Sequence, residues 1–305
     1  MSSSFTTIKV GYVPEHFSTP LFFAAQLGLY EAASLQVELK AFPSGSGHMI
    51  QSLQSQEIDV AIGLTEAFVA GIGKGAEWYK IVGTYVESPL CWAISAGRNR
   101  SDMSGDDDLQ GKTIGISRIG SGSYVMPFVL ASQKGWTEGV KSEDIYKFAI
   151  LDNFANSRDG VNEVHSKGVN ADAFMWEIFT TKKYYDNGEI KNIGQIYTPW
   201  PSWVISASTR LTETAEGRQA LNKLFKCINQ GVEYFNKNPQ NAVEYIANNL
   251  DYSAEDARAW SKTVRFVDNV AHIDQTKVID NTFSILKTAG VLDSSADDKI
   301  YTVSI

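Results

Sequence analysis

Ile8-Lys9-Val10-Gly11-Tyr12-Val13, then Pro14-Glu15-His16-Phe17-Ser18-Thr19-Pro20, then the apolar run Leu21 to Tyr30, then Leu35-Gln36-Val37-Glu38-Leu39: these residues decide the fold. The first segment reads as a strand that Pro14 stops, because proline has no amide hydrogen to continue a ladder. The second is a polar loop. The third is a helix closing near Gly28, and the fourth is a strand with period-two alternation. Strand, loop, helix and strand make the unit from which parallel sheets are built. In open α/β sheets the loops at the carboxyl ends of the strands carry ligands. That rule makes Glu15, His16 and Ser18 candidates for one wall of a cleft.

The pattern repeats. Pro43 to His48 is a Gly/Ser loop after the second strand, bringing in Ser46. Ile58 to Ile62 is a nearly all-apolar strand, as a buried parallel strand should be, and it runs into Thr65 and Glu66. Tyr79 to Tyr85 is a fourth strand, followed by Glu87. Leu90 to Ser95 then reads as a strand leaving this unit. A second α/β unit opens at Leu109 to Ile116 and turns through Arg118-Ile119-Gly120-Ser121-Gly122-Ser123-Tyr124 into a helix from Val125 to Lys134. Further strands are expected at Ile145–Leu151, ending at Asp152-Asn153, at Ala171–Trp176, ending at Glu177, and at Ile190–Tyr197, with a helix at Asp159–Lys167. Val204 to Ser208 reads as the return crossing, and from Thr212 the chain is mostly helical, with one helix expected from Lys277 to Ala289. Ser253 with Asp256 three residues on is a helix-start signature. The expected boundaries are 1–92 with 204–305 for one lobe and 93–203 for the other.

Composition narrows the function. The 305 residues carry a formal net charge of −8, with 43% hydrophobic and 20% charged residues, so a normal core is expected and a general nucleic-acid binder is not. No apolar run approaches the ~20 residues of a membrane span, and Met1 to Thr7 shows no secretory leader, which reads as a cytoplasmic chain. Cys91 and Cys227 sit in no C-x-x-C pair, and the four histidines lack ligand spacing; no metal or other cofactor is expected.

The loop from Ser117 to Tyr124 is the strongest local feature. A strand running through small residues into a helix start offers backbone N–H groups to an anion. Ser121 and Ser123 add hydroxyls, Gly120 and Gly122 permit close approach, and Arg118 adds a guanidinium. Carboxylates at Glu15, Glu66 and Glu87 suit an amine or amidine. Trp176, Trp200 and Trp203 offer faces for a heterocycle or alkyl chain, and Asn153 and Glu177 end second-unit strands at a contact position.

Four motifs, in order, resemble a known family. They are Gly28-Leu29-Tyr30 with Ser34 to Leu39, Gln56 to Ala61, Leu109 to Ile116, and Lys167 to Ala173. The family contains bacterial sulfonate, taurine and thiamine-precursor binding proteins and the fungal thiamine-pyrimidine synthase, the NMT1/THI5-like group. The resemblance spans roughly the whole chain. It implies a two-lobe type II periplasmic-binding-protein fold, each lobe a mostly parallel sheet flanked by helices, joined by two hinge crossings, with a ligand between. The synthase branch carries a cysteine-rich cluster and a lysine that Tyr197 to Trp203 and Ile62 to Glu66 lack. The expectation is therefore a soluble, non-enzymatic protein that closes on a small polar or anionic organic ligand. The ligand would resemble a thiamine-pyrimidine precursor or an alkylsulfonate. The alternative is an enzyme of thiamine-pyrimidine biosynthesis on the same fold.

Overall fold

The structure is a computed structural model that describes residues 6–140, 142–296 and 301–305. The leader reading of Met1 to Phe5 lies outside the described residues. Ten strands form two sheets: β1 (Thr6–Tyr12), β2 (Leu35–Ala41), β3 (Val60–Leu64), β4 (Tyr79–Val86), β5 (Cys91–Gly97), β6 (Thr113–Ile116), β7 (Lys147–Ile150), β8 (Ala173–Glu177), β9 (Ile190–Tyr197) and β10 (Trp203–Ser208). The first sheet has the order β2-β1-β3-β10-β4 and the second β7-β6-β8-β5-β9.

The two sheets share one logic. β1 pairs parallel with β2 and β3, while β10 runs antiparallel between β3 and β4. β6 pairs parallel with β7 and β8, while β5 runs antiparallel between β8 and β9. The antiparallel strand of each sheet is thus the one that has just arrived from the other. Central β3 and β10 are buried along their whole length, whereas edge strand β9 has exposed positions, as coverage by helices on both faces requires.

Two linkers join the sheets, Glu87 to Leu90 and Thr198 to Ser202, and they are bonded to each other. Thr198 N–H donates to Leu90 O at 3.0 Å, Leu90 N–H to Thr198 Oγ1 at 2.9 Å, and Ser202 Oγ to Ser88 O at 2.6 Å. The C-terminal helices Ala215–Lys237, Pro239–Asn249 and Ala254–Ser261 cover the first sheet's side of the molecule. Ser253 caps the last of these by accepting from Asp256 N–H at 3.0 Å, as its sequence signature predicts.

Three local expectations shift. The helix expected at Asp159–Lys167 is Phe154–Val161, because the Asn153 side chain caps it by accepting from Asn156 N–H at 2.9 Å. Glu163, at φ +61°, marks the chain's turn away. The strand expected from Ile145 begins at Lys147, since Ser142–Ile145 coils into a helical turn. The single helix expected from Lys277 is a wide π-helical turn, Gln275–Asp280, leading into Asn281–Thr288. Cys91 and Cys227 are free thiols.

Candidate ligand cleft between the two lobes

The loops after β1, β2 and β3 meet those after β6 and β8 around a cavity of about 40 Å³, enough for about three water molecules or a compact head group. The two lobes stand closed around it. Trp176 Nε1 donates to Glu15 Oε1 at 3.1 Å, Arg118 Nη1 to Gln51 Oε1 at 2.9 Å, and Thr180 Oγ1 lies 2.8 Å from Tyr252 Oη. Gly122 lies so near Leu64 and Trp92 that a Cβ there would stand 2.5 Å from Leu64 Cδ1 and 2.8 Å from the Trp92 ring. Only glycine permits that approach.

One side of the cavity is built of donors. Helix Gly122–Gln133 begins at it; Tyr124 and Val125 N–H donate to Ser121 O at 3.0 Å, while Gly122 and Ser123 N–H have no partner among the described residues. Ser123 Oγ accepts from Ser117 N–H at 3.0 Å and lies 2.9 Å from Ser121 Oγ, so the three serines hold one another in place. The indole Nε1 of Trp92 and that of Trp203 have no hydrogen-bond partner among the described residues, though the side chains are only 4% and 3% exposed. A buried donor left unpaired costs about 1–3 kcal/mol. Two at one cavity are a demand for an acceptor.

The other side is acidic. Glu15 and Glu177 line the cavity and are 8% and 5% exposed. Burial, reinforced by the neighbouring Glu177, pushes the Glu15 carboxyl up to about 8, against the Trp176 hydrogen bond that lowers it. Glu15 is therefore mostly a neutral acid at pH 7 and has a proton to donate. Glu177 Oε2 accepts from Thr180 N–H at 2.7 Å and Thr180 Oγ1 at 3.1 Å, capping helix Ile178–Asp186.

Of the sequence candidates, Glu15, Ser46, Ser121, Gly122, Ser123, Trp176 and Glu177 line the cavity, and so does Trp203. Ser46 Oγ accepts from Leu64 N–H at 2.8 Å. The remaining candidates do other work. His16 is fully buried, stacked between Tyr252 (4.3 Å) and Trp260 (4.1 Å), with Nε2 3.5 Å from Glu177 Oε2. Ser18 is spent on Val13 O and Thr65 on Pro201 O. Glu66 lies fully buried, accepting from Trp200 Nε1 at 2.9 Å, and burial pushes it up to about 7. Glu87 pairs with Arg265 at 3.2 Å on the outside. Arg118 lays its stem over Gly47 and bonds Gln51 instead of facing the cavity. Gly120, at φ +83°, makes the turn, Tyr124 packs on Phe128 and Phe148, and Asn153 is the helix cap described above.

Sequence reasoning missed Trp92, Val13, Leu64 and Leu90 among the lining residues, and it named the loops that hold Ser117 and Gly45 without singling out either residue. Trp92 and Ser117 both sit where a strand meets a loop at the cavity, a signal the strand assignments contain. No cluster of three or more His, Cys, Asp or Glu with metal-holding geometry occurs among the described residues, and no described helix is long and apolar enough to cross a membrane.

Two mixed five-stranded sheets, joined by paired linkers and closed on a polar cavity, define the two-lobe periplasmic-binding-protein fold. The chain belongs to the family defined by the Candida albicans CA3427 gene product, with whose structure it shares 48% identity at a TM-score of 0.90, over 98% of this chain and 97% of that one. Residues 92–196 match the model of the Ca3427-like PBP and residues 2–99 that of the NMT1-like family. The fold is also similar to the alkanesulfonate-binding protein SsuA of Xanthomonas axonopodis pv. citri bound to MOPS (14% identity, TM-score 0.75, 98% of each chain). It is similar to the periplasmic aliphatic sulphonate-binding protein SsuA of Escherichia coli (14% identity, TM-score 0.65, 96% of this chain and 95% of that one). No curated protein is significantly similar to the chain in sequence.

Proposed function

We propose that this protein is a non-enzymatic binding protein that closes its lobes on a small organic molecule with a compact oxyanion head. The observation that carries this reading is the start of helix Gly122–Gln133 on a cavity that Trp92 and Trp203 also line, both with buried indole N–H groups that have no partner among the described residues. An oxyanion accepts from all of these donors at once, and the helix start favours its charge. The neutral acid of Glu15 adds one more proton to share. The sulfonate ligands of the fold's SsuA relatives agree with this chemistry. Exchange of ligand requires the interlobe bonds to part, with the linkers as the hinge.

Calorimetric titration with methanesulfonate, sulfate and phosphate tests the reading. Saturable binding of at least one, weakened tenfold or more in Trp92→Phe, supports it. If none binds, or Trp92→Phe binds as tightly as wild type, the oxyanion site is abandoned. Incubation with pyridoxal phosphate separates binding from the synthase-type alternative: a bound imine absorbance favours the enzyme.

A further inference from the structure

Leu90 and Glu177 each face two spaces. One is the head cavity. The other is a second chamber of about 240 Å³ against the linkers. The chamber is walled by the rings of Phe17, Phe179, Tyr197 and Trp260, with Cys91 and Val264 between them. Its one buried charged group is Glu177. Glu177 gives Oε2 to every hydrogen bond it makes, to Thr180 N–H and Thr180 Oγ1, and His16 also lies on the Oε2 side. Oε1 receives no hydrogen bond from any described residue, in a side chain only 6% exposed. Oε1 is not sealed off, so it is an acceptor with open space before it and no donor among the described residues, at the wall between the two spaces.

We propose that this chamber is a second subsite, resting on the oxyanion reading for its neighbour, which takes an aromatic or alicyclic ring bearing a hydrogen-bond donor directed at Glu177 Oε1. Four rings give a flat apolar group faces and edges to pack on. The volume suits a ring better than a head group. The Cys91 thiol, pushed up to about 11 by burial, stays neutral and presents soft surface to the ring instead of attacking it. The ligand of the whole cleft is then a ring compound with a donor at the ring and a compact oxyanion beyond it, passing between Leu90 and Glu177.

The test uses three probes on the full chain at pH 7, by calorimetry and thermal shift. Benzylamine carries ring and donor, anisole the ring without donor or charge, and methylamine the donor without the ring. Benzylamine is expected to bind saturably and to raise the unfolding midpoint, with the other two at least tenfold weaker. Cys91→Trp and Val264→Trp each fill the chamber from its lining, and each is expected to abolish benzylamine binding. Circular dichroism and the unfolding midpoint establish that each variant is folded, and one folded variant suffices. The proposal is overturned if benzylamine fails to saturate wild type, if anisole equals it, or if a folded filled variant binds it unchanged. Methanesulfonate titrated into wild type keeps the two readings apart. Sulfonate binding without benzylamine binding sinks the chamber alone, and benzylamine binding without sulfonate binding sinks the oxyanion site alone.

Discussion

Trp176 Nε1 reaches across from the second lobe to donate to Glu15 Oε1 of the first at 3.1 Å, both side chains buried. The bond ties a strand end of one sheet to the loop after the first strand of the other. It also holds a carboxyl that burial keeps protonated well above its ordinary range.

The pH dependence of stability follows from that. The ordinary value for both Glu15 and Glu66 is 4.5, and in the folded chain they sit at about 8 and about 7. Between these limits the native form holds protons that the unfolded chain releases, so stability falls as pH rises. The contribution is complete below about pH 4.5 and lost through about pH 7 for Glu66 and about pH 8 for Glu15. The loss is on the order of 5 kcal/mol from Glu15 and about 3 kcal/mol from Glu66. The thermal unfolding midpoint should drop from pH 5 to pH 8, and Glu15→Gln should flatten the upper part of that slope. A midpoint that is level or rising over this range would sink the assignment.

His16 gives a stability prediction of a different kind. Its ring lies between Tyr252 and Trp260, nearly parallel to both at 11° and 10°. His16→Ala removes the middle of a three-ring stack and leaves a hole, at a cost of about 2–4 kcal/mol by urea unfolding. His16→Phe keeps the stack and should recover most of it. If alanine and phenylalanine are equally destabilising, Nε2 beside Glu177 matters more than the stack.

The fate of His16 shows what the sequence held and what it withheld. The alternation of Leu35 to Leu39 and the apolar run of Ile58 to Ile62 are local patterns, so the parallel strands were legible. The convergence of Glu15, Ser46 and Ser121 to Glu177 was legible too, because a parallel sheet sends those loops to one edge. Which loop residue faces the cavity was not legible. Tyr252, in the link between two C-terminal helices, and Trp260, in the second of them, lie more than 200 residues away and take His16 for the core. Glu66 was claimed in the same way by Trp200, and Glu87 by Arg265. Trp92 stayed hidden because a tryptophan in a strand looks like core until its indole N–H is found without a partner.

Arg118 should matter little for the ligand. Its Nη1 bonds Gln51 at 2.9 Å outside the cavity, and an exposed polar contact of this kind contributes about 0–1 kcal/mol. Arg118→Ala should leave methanesulfonate affinity within about threefold, a shift of about 0.7 kcal/mol. A loss of tenfold or more on titration would return Arg118 to the list of anion-binding groups.

Gly122 is where closure and packing are the same contact. A methyl group there would meet Leu64 Cδ1 at 2.5 Å and the Trp92 ring at 2.8 Å. Leu64 ends β3 of the first sheet, whereas Gly122 opens a helix of the second lobe, so the Leu64 clash falls on the closed arrangement; the Trp92 ring stands on β5 of Gly122's own lobe, so that clash falls on the lobe's packing. Overpacking costs about 1–3 kcal/mol, which lowers affinity about 5- to 150-fold if closure bears all of it. Gly122→Ala should therefore bind methanesulfonate more weakly, show a larger radius of gyration in solution scattering, and lower the unfolding midpoint only modestly, through the Trp92 contact. Leu64→Ala in the same chain removes the nearer of the colliding groups and should restore part of the affinity. If Gly122→Ala lowers affinity and the second substitution recovers none of it, the lost contact lies with Trp92 or the helix start, and lobe closure against Leu64 is not what the glycine serves.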